Sequence, residues 1–276
     1  MRILIALLAP LVLGGCMLLP GKFASELRLL ANDEFVFTYD GEIQMLALSK
    51  LAAMAEGGDE AFEAECFDDN FDLRECTEEE ISEQRAEWDA HAEHRRASKA
   101  RETEQMRAFL GGIDPSNPEA AREFAKRLER QRGWDKVEYK GDGLFQVAFR
   151  ISGTLGHDFV FPTFEGIPSA NAFVSVNLRK GRQVRIDAPA FNGQKDPNPM
   201  LGGAPLATLA AMSEADKDGE MPKIVIPDGI FTIITDGKIL ANNTDEGPVR
   251  HSAGQALSWK VGPTTAQAPT ALIAFD

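Results

Sequence analysis

Basic residues are in short supply in this chain. Lys and Arg total 29 against 43 Asp and Glu, a formal net charge of −14 over 276 residues. Nucleic-acid binders neutralise phosphates with clustered cations, so nucleic acid is excluded as a partner. The same deficit repels the folded chain from an anionic membrane surface, so residence there needs an anchor. Histidine is scarce too, with four residues, none spaced to serve a nucleophile. There is no GxSxG elbow, GxGxxG fingerprint, P-loop or HExxH pair. The chain is therefore read as non-enzymatic, with no catalytic residue, no cofactor and no metal centre assigned. Carboxylate-pair chemistry has no motif to argue from, because so many acids always supply candidate pairs.

Long apolar runs are missing after the first residues, whereas a spanning helix needs roughly 20 apolar positions. The one run present, Ile3 to Leu13, follows the single cation Arg2 and ends in Leu13-Gly14-Gly15-Cys16. A charged start, an apolar middle and small residues at the cut make a secretory signal. The tetrapeptide resembles the lipobox of bacterial lipoproteins. That resemblance implies removal of residues 1–15, lipidation of the Cys16 thiol and a membrane anchor on the periplasmic side. Residue 17 is Met; the absence of Asp there favours the outer over the inner membrane.

Cysteine is nearly absent, with three in all. Setting Cys16 aside leaves Cys66 and Cys76, an even pair in an oxidising compartment, which predicts a disulfide. Redox-active or metal-binding use would favour the CxxC spacing, which does not occur. Hydrophobic residues make up 43 % of the chain, enough for a folded core.

The pattern predicts an α+β fold: an antiparallel sheet with a helical excursion inserted after an N-terminal strand pair. Residues 16–25 read as a lipidated tether, reaching at most about 30 Å, and 26–276 as one domain with the insertion at about 43–132. Within it, 27–30 and 35–39 are strand-like. Asp40-Gly41 reads as a turn, and 42–55 has helical spacing. Thr77-Glu-Glu-Glu80 is a capping box opening a long polar helix over 78–110. A second helix is predicted from Pro118, capped by Asn117, to Arg132. From Trp134 the period changes to two, with Phe145, Val147, Phe149 and Ile151 on one face. Further strands are expected at 159–161, 172–178, 183–188, 223–226, 230–235, 238–241, 256–261 and 270–275, and a short helix at 206–212.

Three constellations invite a chemical reading. Asp68, Asn70 and Asp72, with Glu79 further on, resemble the start of a calcium loop, but Leu73 stands where the turn wants Gly; the plain alternative is a solvated acidic loop. His91 and His94 share a helix face without a further ligand, which fits a solvated face. Arg122, Lys126 and Arg130 form a basic line at four-residue spacing that could meet lipid phosphates or be ordinary surface charge.

The C-terminal stretch FTIITDGKILANNTDEGP, then GQALSWKV and APTALIAF, is similar to the closing segment of LppM-like lipoproteins. The matching residues are Thr235, Gly237, Asn242, Gly247 and Trp259, in about a third of the chain. The resemblance implies binding of lipids or glycolipids at the cell envelope. A curved sheet covered by a helix could hold an acyl chain, which makes Phe145, Phe149, Phe161 and Phe173 candidate ligand contacts, against the alternative that they build the core. The leading expectation is a membrane-anchored envelope lipoprotein that binds a lipid or other apolar ligand. The alternative is a structural or assembly lipoprotein that docks a protein partner through its polar helix.

Overall fold

The computed structural model describes residues 18–46, 48, 62–68, 73–109, 118–165, 171–192, 206–215 and 223–275. Cys16 and the predicted signal peptide lie outside them. In chain order the first strands are β1 (Leu18–Leu29), β2 (Glu34–Met45), β3 (Cys66–Phe67) and β4 (Leu73–Arg74). Helices α1 (Glu78–Ala90), α2 (Ala92–Phe109) and α3 (Pro118–Leu128) follow. Then come β5 (Trp134–Gly141), β6 (Leu144–Thr154), β7 (Phe159–Phe161), β8 (Val174–Arg179) and β9 (Gln183–Asp187). Helix α4 (Leu206–Ala215) precedes β10 (Asp228–Thr235), β11 (Lys238–Asn242), β12 (Val249–His251), β13 (Gly254–Val261) and β14 (Thr270–Ala274).

The α+β class holds, but twelve of the fourteen described strands form two facing layers rather than one sheet, and β3 and β4 pair apart from them. Seven strands run in the order β12-β13-β10-β1-β2-β6-β5, and five in the order β11-β14-β9-β8-β7. Pairing is antiparallel except between β1 and β10. Period-two burial in strands such as β6, β8, β9 and β14 turns one apolar face inward. In the larger layer a single cross-strand row runs Trp134, Phe149, Tyr39, Ser25, Phe231, Trp259. Ser25 is the one small side chain in it. Phe191 contacts the rings on both sides of Ser25, at 6.5 Å from Tyr39 and 5.4 Å from Phe231.

Phe23 explains two glycines. It lies opposite Gly41 of β2 and Gly229 of β10, and a Cβ at either glycine would run into Phe23. With both neighbours bare, its ring stacks on Phe191 at 4.2 Å. Asp40-Gly41 is therefore not a turn. β2 runs straight through it to Met45, which corrects the helix predicted from residue 42. Leu46 and Leu48 are helical, and 49–61 lie outside the described residues.

Other boundaries also move. Leu18 to Ser25, read as tether, is strand: Leu18 to Pro20 pair with β2 alone, and after the irregularity that follows Pro20 the strand is flanked by β2 on one edge and β10 on the other. Residues 223–227 carry no strand. The helix predicted to Arg132 ends at Leu128, because Arg130 N and Gln131 N turn back to the carbonyls of Arg127 and Leu128. Glycine turns close two hairpins: Asp142 and Gly143 take φ of 47° and 68°, and Gly181 and Arg182 take 76° and 51°, the two positive values that twist-matched hairpins require.

Candidate functional site

Helix α1 buries none of its residues, yet its base is held in several ways. Cys66 and Cys76 form the predicted disulfide, ten residues apart. It ties the β3–β4 hairpin to the residue before the helix cap. Thr77 Oγ1 accepts the Glu80 amide, and Glu80 Oε2 accepts the Thr77 amide at 2.9 Å, the predicted capping box. The Arg74 guanidinium donates to both Glu80 oxygens, at 3.0 and 2.5 Å. These bonds hold the Glu80 carboxyl down at about 2, with Arg74 the larger cause and Thr77 the next. Gln84 exchanges two hydrogen bonds with the backbone of Glu65, at 3.0 and 3.2 Å.

The long polar helix is broken once. α1 and α2 meet at His91, where the chain makes a single-residue turn. Arg95 stacks its guanidinium 3.6 Å over the Trp88 ring and donates to the Trp88 carbonyl at 2.7 Å. The same Trp88 carbonyl accepts the His91 amide at 3.2 Å, so a side chain and the backbone share it at the junction. Phe62 sits 6.1 Å from Trp88 with Arg85 at 5.5 Å over its ring. Phe67 and Ile81 remain 47 % and 38 % exposed. Aromatic side chains with arginines at exposed, braced positions are the residue types that dominate protein interfaces. His91 and His94 are both exposed on this arm. Among the described residues no group of His, Cys, Asp and Glu could hold a metal ion. Of the calcium-loop candidates, Asn70 and Asp72 lie outside the described residues, and Glu79 is exposed.

The four candidate ligand phenylalanines are brought together inside the sandwich. Phe145, Phe149, Phe161 and Phe173 are all in the buried core. Phe161 lies 4.8 Å from Phe149 and 6.0 Å from Phe173, and Phe145 lies 5.8 Å from Phe124 of α3. A crevice beneath α3 is lined by Ile43, Met45, Phe124, Leu128, Trp134, Phe145, Val147 and Phe164, and leaves about 10 Å³. One water needs about that much, so an acyl chain would have to displace α3. Phe149, Phe161 and Phe173 do not line it. On the outer side of α3, Arg122 and Lys126 are exposed, and Arg130 is exposed two residues past the end of the helix, so the expected basic line is not carried by one helix face; Glu119 lies in the first turn and Lys126 and Arg127 in the last. Acids early and bases late is the order the helix dipole favours.

The entry of the chain into the sandwich is a second constructed place, which sequence reasoning missed. Leu18 N donates to Asn171 Oδ1 at 3.0 Å, and Asn171 Nδ2 donates to the Leu18 carbonyl at 2.8 Å. Next to Leu18 and its strand partner Met45, Met45 N donates to the Gly143 carbonyl at 2.8 Å. Buried Gln44 donates to the Lys223 carbonyl, and its Oε1 accepts the Val225 amide at 2.9 Å. Only the polar character of Asn171 and Gln44 hinted at these roles.

The C-terminal residues behind the family resemblance have local duties. Thr235 Oγ1 accepts the Gly237 amide at 3.0 Å. Asn242 Oδ1 accepts from the Thr244 amide at 3.1 Å. Trp259 Nε1 donates to Asn243 Oδ1 at 2.9 Å, where the Thr270 amide also donates at 2.9 Å.

No family model and no curated protein matches the chain. Among solved structures it is similar to the NMR structure of the folded domain of LppM from Mycobacterium tuberculosis. That likeness has 11 % identity and a TM-score of 0.27, and covers 95 % of this chain and 91 % of the other. It assigns nothing to individual residues. No helix among the described residues is long and apolar enough to cross a membrane.

Proposed function

We propose that this chain is a non-enzymatic lipoprotein of the cell envelope, anchored by acyl chains on Cys16, whose helical arm docks a protein partner. The observation that carries the docking is α1: it buries none of its residues, but a disulfide, a capping box and the Arg74–Glu80 pair brace it. A helix without an apolar face gains little from its own packing, so such bracing serves an exposed surface. The anchor rests on the lipobox ending at Cys16.

The test is photo-crosslinking in intact cells, with the probe at Ile81 on the arm or at Lys180 in the β8–β9 turn. This reading expects one discrete adduct from Ile81 that Lys180 does not give. Equal adducts from both positions, or none from Ile81, overturn it.

A second reading, that the sandwich takes up a lipid, has one observation in its favour. The crevice beneath α3 is lined wholly by apolar side chains, Phe145 among them. Native mass spectrometry of the mature chain checks it. A co-purifying mass released on denaturation as a lipid supports uptake, and a clean apo mass of folded protein counts against it.

A further inference from the structure

We infer that one particular end of the sandwich lies flush against the bilayer: the end that carries Leu18, Met45, Gly143, Asn171 and Lys223. The inference rests on acylation of Cys16 and goes beyond it, because it fixes which surface of the fold meets lipid.

The argument is one of reach. Cys16 precedes the first strand residue by two positions, and two residues span at most about 7 Å. Leu18 cannot supply slack. It pairs with Met45 in a central strand, and both its amide and its carbonyl are taken by Asn171. A nine-residue tether would let the domain tumble at about 30 Å from the membrane. A two-residue one holds the chain entry at the headgroup layer.

The register then orders the molecule along the membrane normal. β1 leaves the bilayer at Leu18 and reaches its far end at Leu29, and eleven rises of strand place these roughly 36 Å apart. Three features mark the near end: the Asp142-Gly143 turn, whose glycine carbonyl takes the Met45 amide; Lys140, just before that turn; and Lys223, held by Gln44. The far end carries the Lys180-Gly181-Arg182 turn, where Arg182 donates to the Ala31 carbonyl at 3.2 Å. Lys238 is there too, two residues after Asp236, which accepts the Ala31 amide at 2.7 Å. Lys140, Asp142 and Lys223 are all exposed, so the near end mixes charges. The tether, rather than net attraction, sets the contact, as the acidic chain requires.

The experiment uses the full mature protein extracted from membranes and reconstituted on phosphatidylcholine vesicles. These are doped with a phosphatidylethanolamine that carries a photoreactive group on its headgroup. Adducts are mapped by mass spectrometry, and the same digest reports the acyl mass on the Cys16 peptide. The inference expects adducts on 140–143 and 223 in roughly tenfold excess over 180–182 and 236–238, because the headgroup layer is only a fraction of the roughly 36 Å between the ends. Acylated protein with adducts at the far end, or spread evenly, overturns the orientation and leaves the anchor standing. A Cys16 peptide without acyl mass overturns both.

Discussion

Asn171 and Leu18 lie 153 residues apart in sequence, yet they exchange two hydrogen bonds, at 3.0 and 2.8 Å. An amide side chain thereby does for the start of β1 what a further strand would do. Asn171→Ala leaves two partly buried backbone groups without their partners. The expected loss is about 1–3 kcal/mol, read by urea denaturation, with faster proteolysis ahead of Leu27. Unchanged stability and unchanged cleavage would show that the latch is idle.

Gly41 is predicted to be intolerant of any side chain. A Cβ there meets Phe23, whereas one at Gly153 meets open space. Gly41→Ala should cost about 1–3 kcal/mol through overpacking, and Gly153→Ala should stay within about 0.5 kcal/mol. Thermal unfolding of the pair decides it, and similar shifts in both variants contradict the account of Phe23.

The arm should loosen in acid. Glu80 titrates at about 2 in the folded chain against an ordinary value of 4.5. A carboxyl depressed by folding contributes stability above its unfolded value and loses it as the pH falls through the folded one. The first turn of α1 should therefore begin to fray below pH 4.5 and have lost this support by about pH 2. Amide hydrogen exchange at Glu80 and its neighbours reads this locally, which separates it from Glu138 and Asp187, also held low by basic neighbours. In Glu80→Gln the same amides should lose the dependence. If they keep it, Glu80 is not the group responsible.

Reduction of Cys66–Cys76 is expected to act on the arm and spare the sandwich. Closing a loop of about ten residues restrains the unfolded segment by about 2.5–3 kcal/mol in the chain-entropy view. Paired Cys66→Ser and Cys76→Ser substitutions should lower helical circular dichroism and leave the main unfolding transition in place. A shift of that transition would mean that the hairpin braces the core.

The parts of the fold legible in the sequence were local. Alternation from Phe145 to Ile151, the Asp142-Gly143 turn and the Thr77–Glu80 box each place their cause within a few residues. The disulfide followed from counting cysteines. The two-layer arrangement did not follow, because the pairing of β1 with β10 joins segments some two hundred positions apart, and nothing local records it. Asp40-Gly41 misled for a specific reason: the dipeptide is a strong turn signal, but here the glycine makes room for a ring on the neighbouring strand. Leu18 to Ser25 read as tether because Pro20 and Gly21 interrupt an apolar run, and the irregularity they cause is absorbed as a register shift between Pro20 and Phe23. Of the candidate site, the polar helix and its cap were visible. The break at His91 was not, and neither was the bond that Arg95 makes across it to the Trp88 carbonyl.

The intact mass of the mature N-terminal peptide tests the account most directly. The account predicts a chain that begins at Cys16 and carries the added mass of a diacylglyceryl group, with Cys16→Ser leaving the membrane fraction or stalling before cleavage. An unmodified Cys16 in a chain that still sediments with membranes would contradict it.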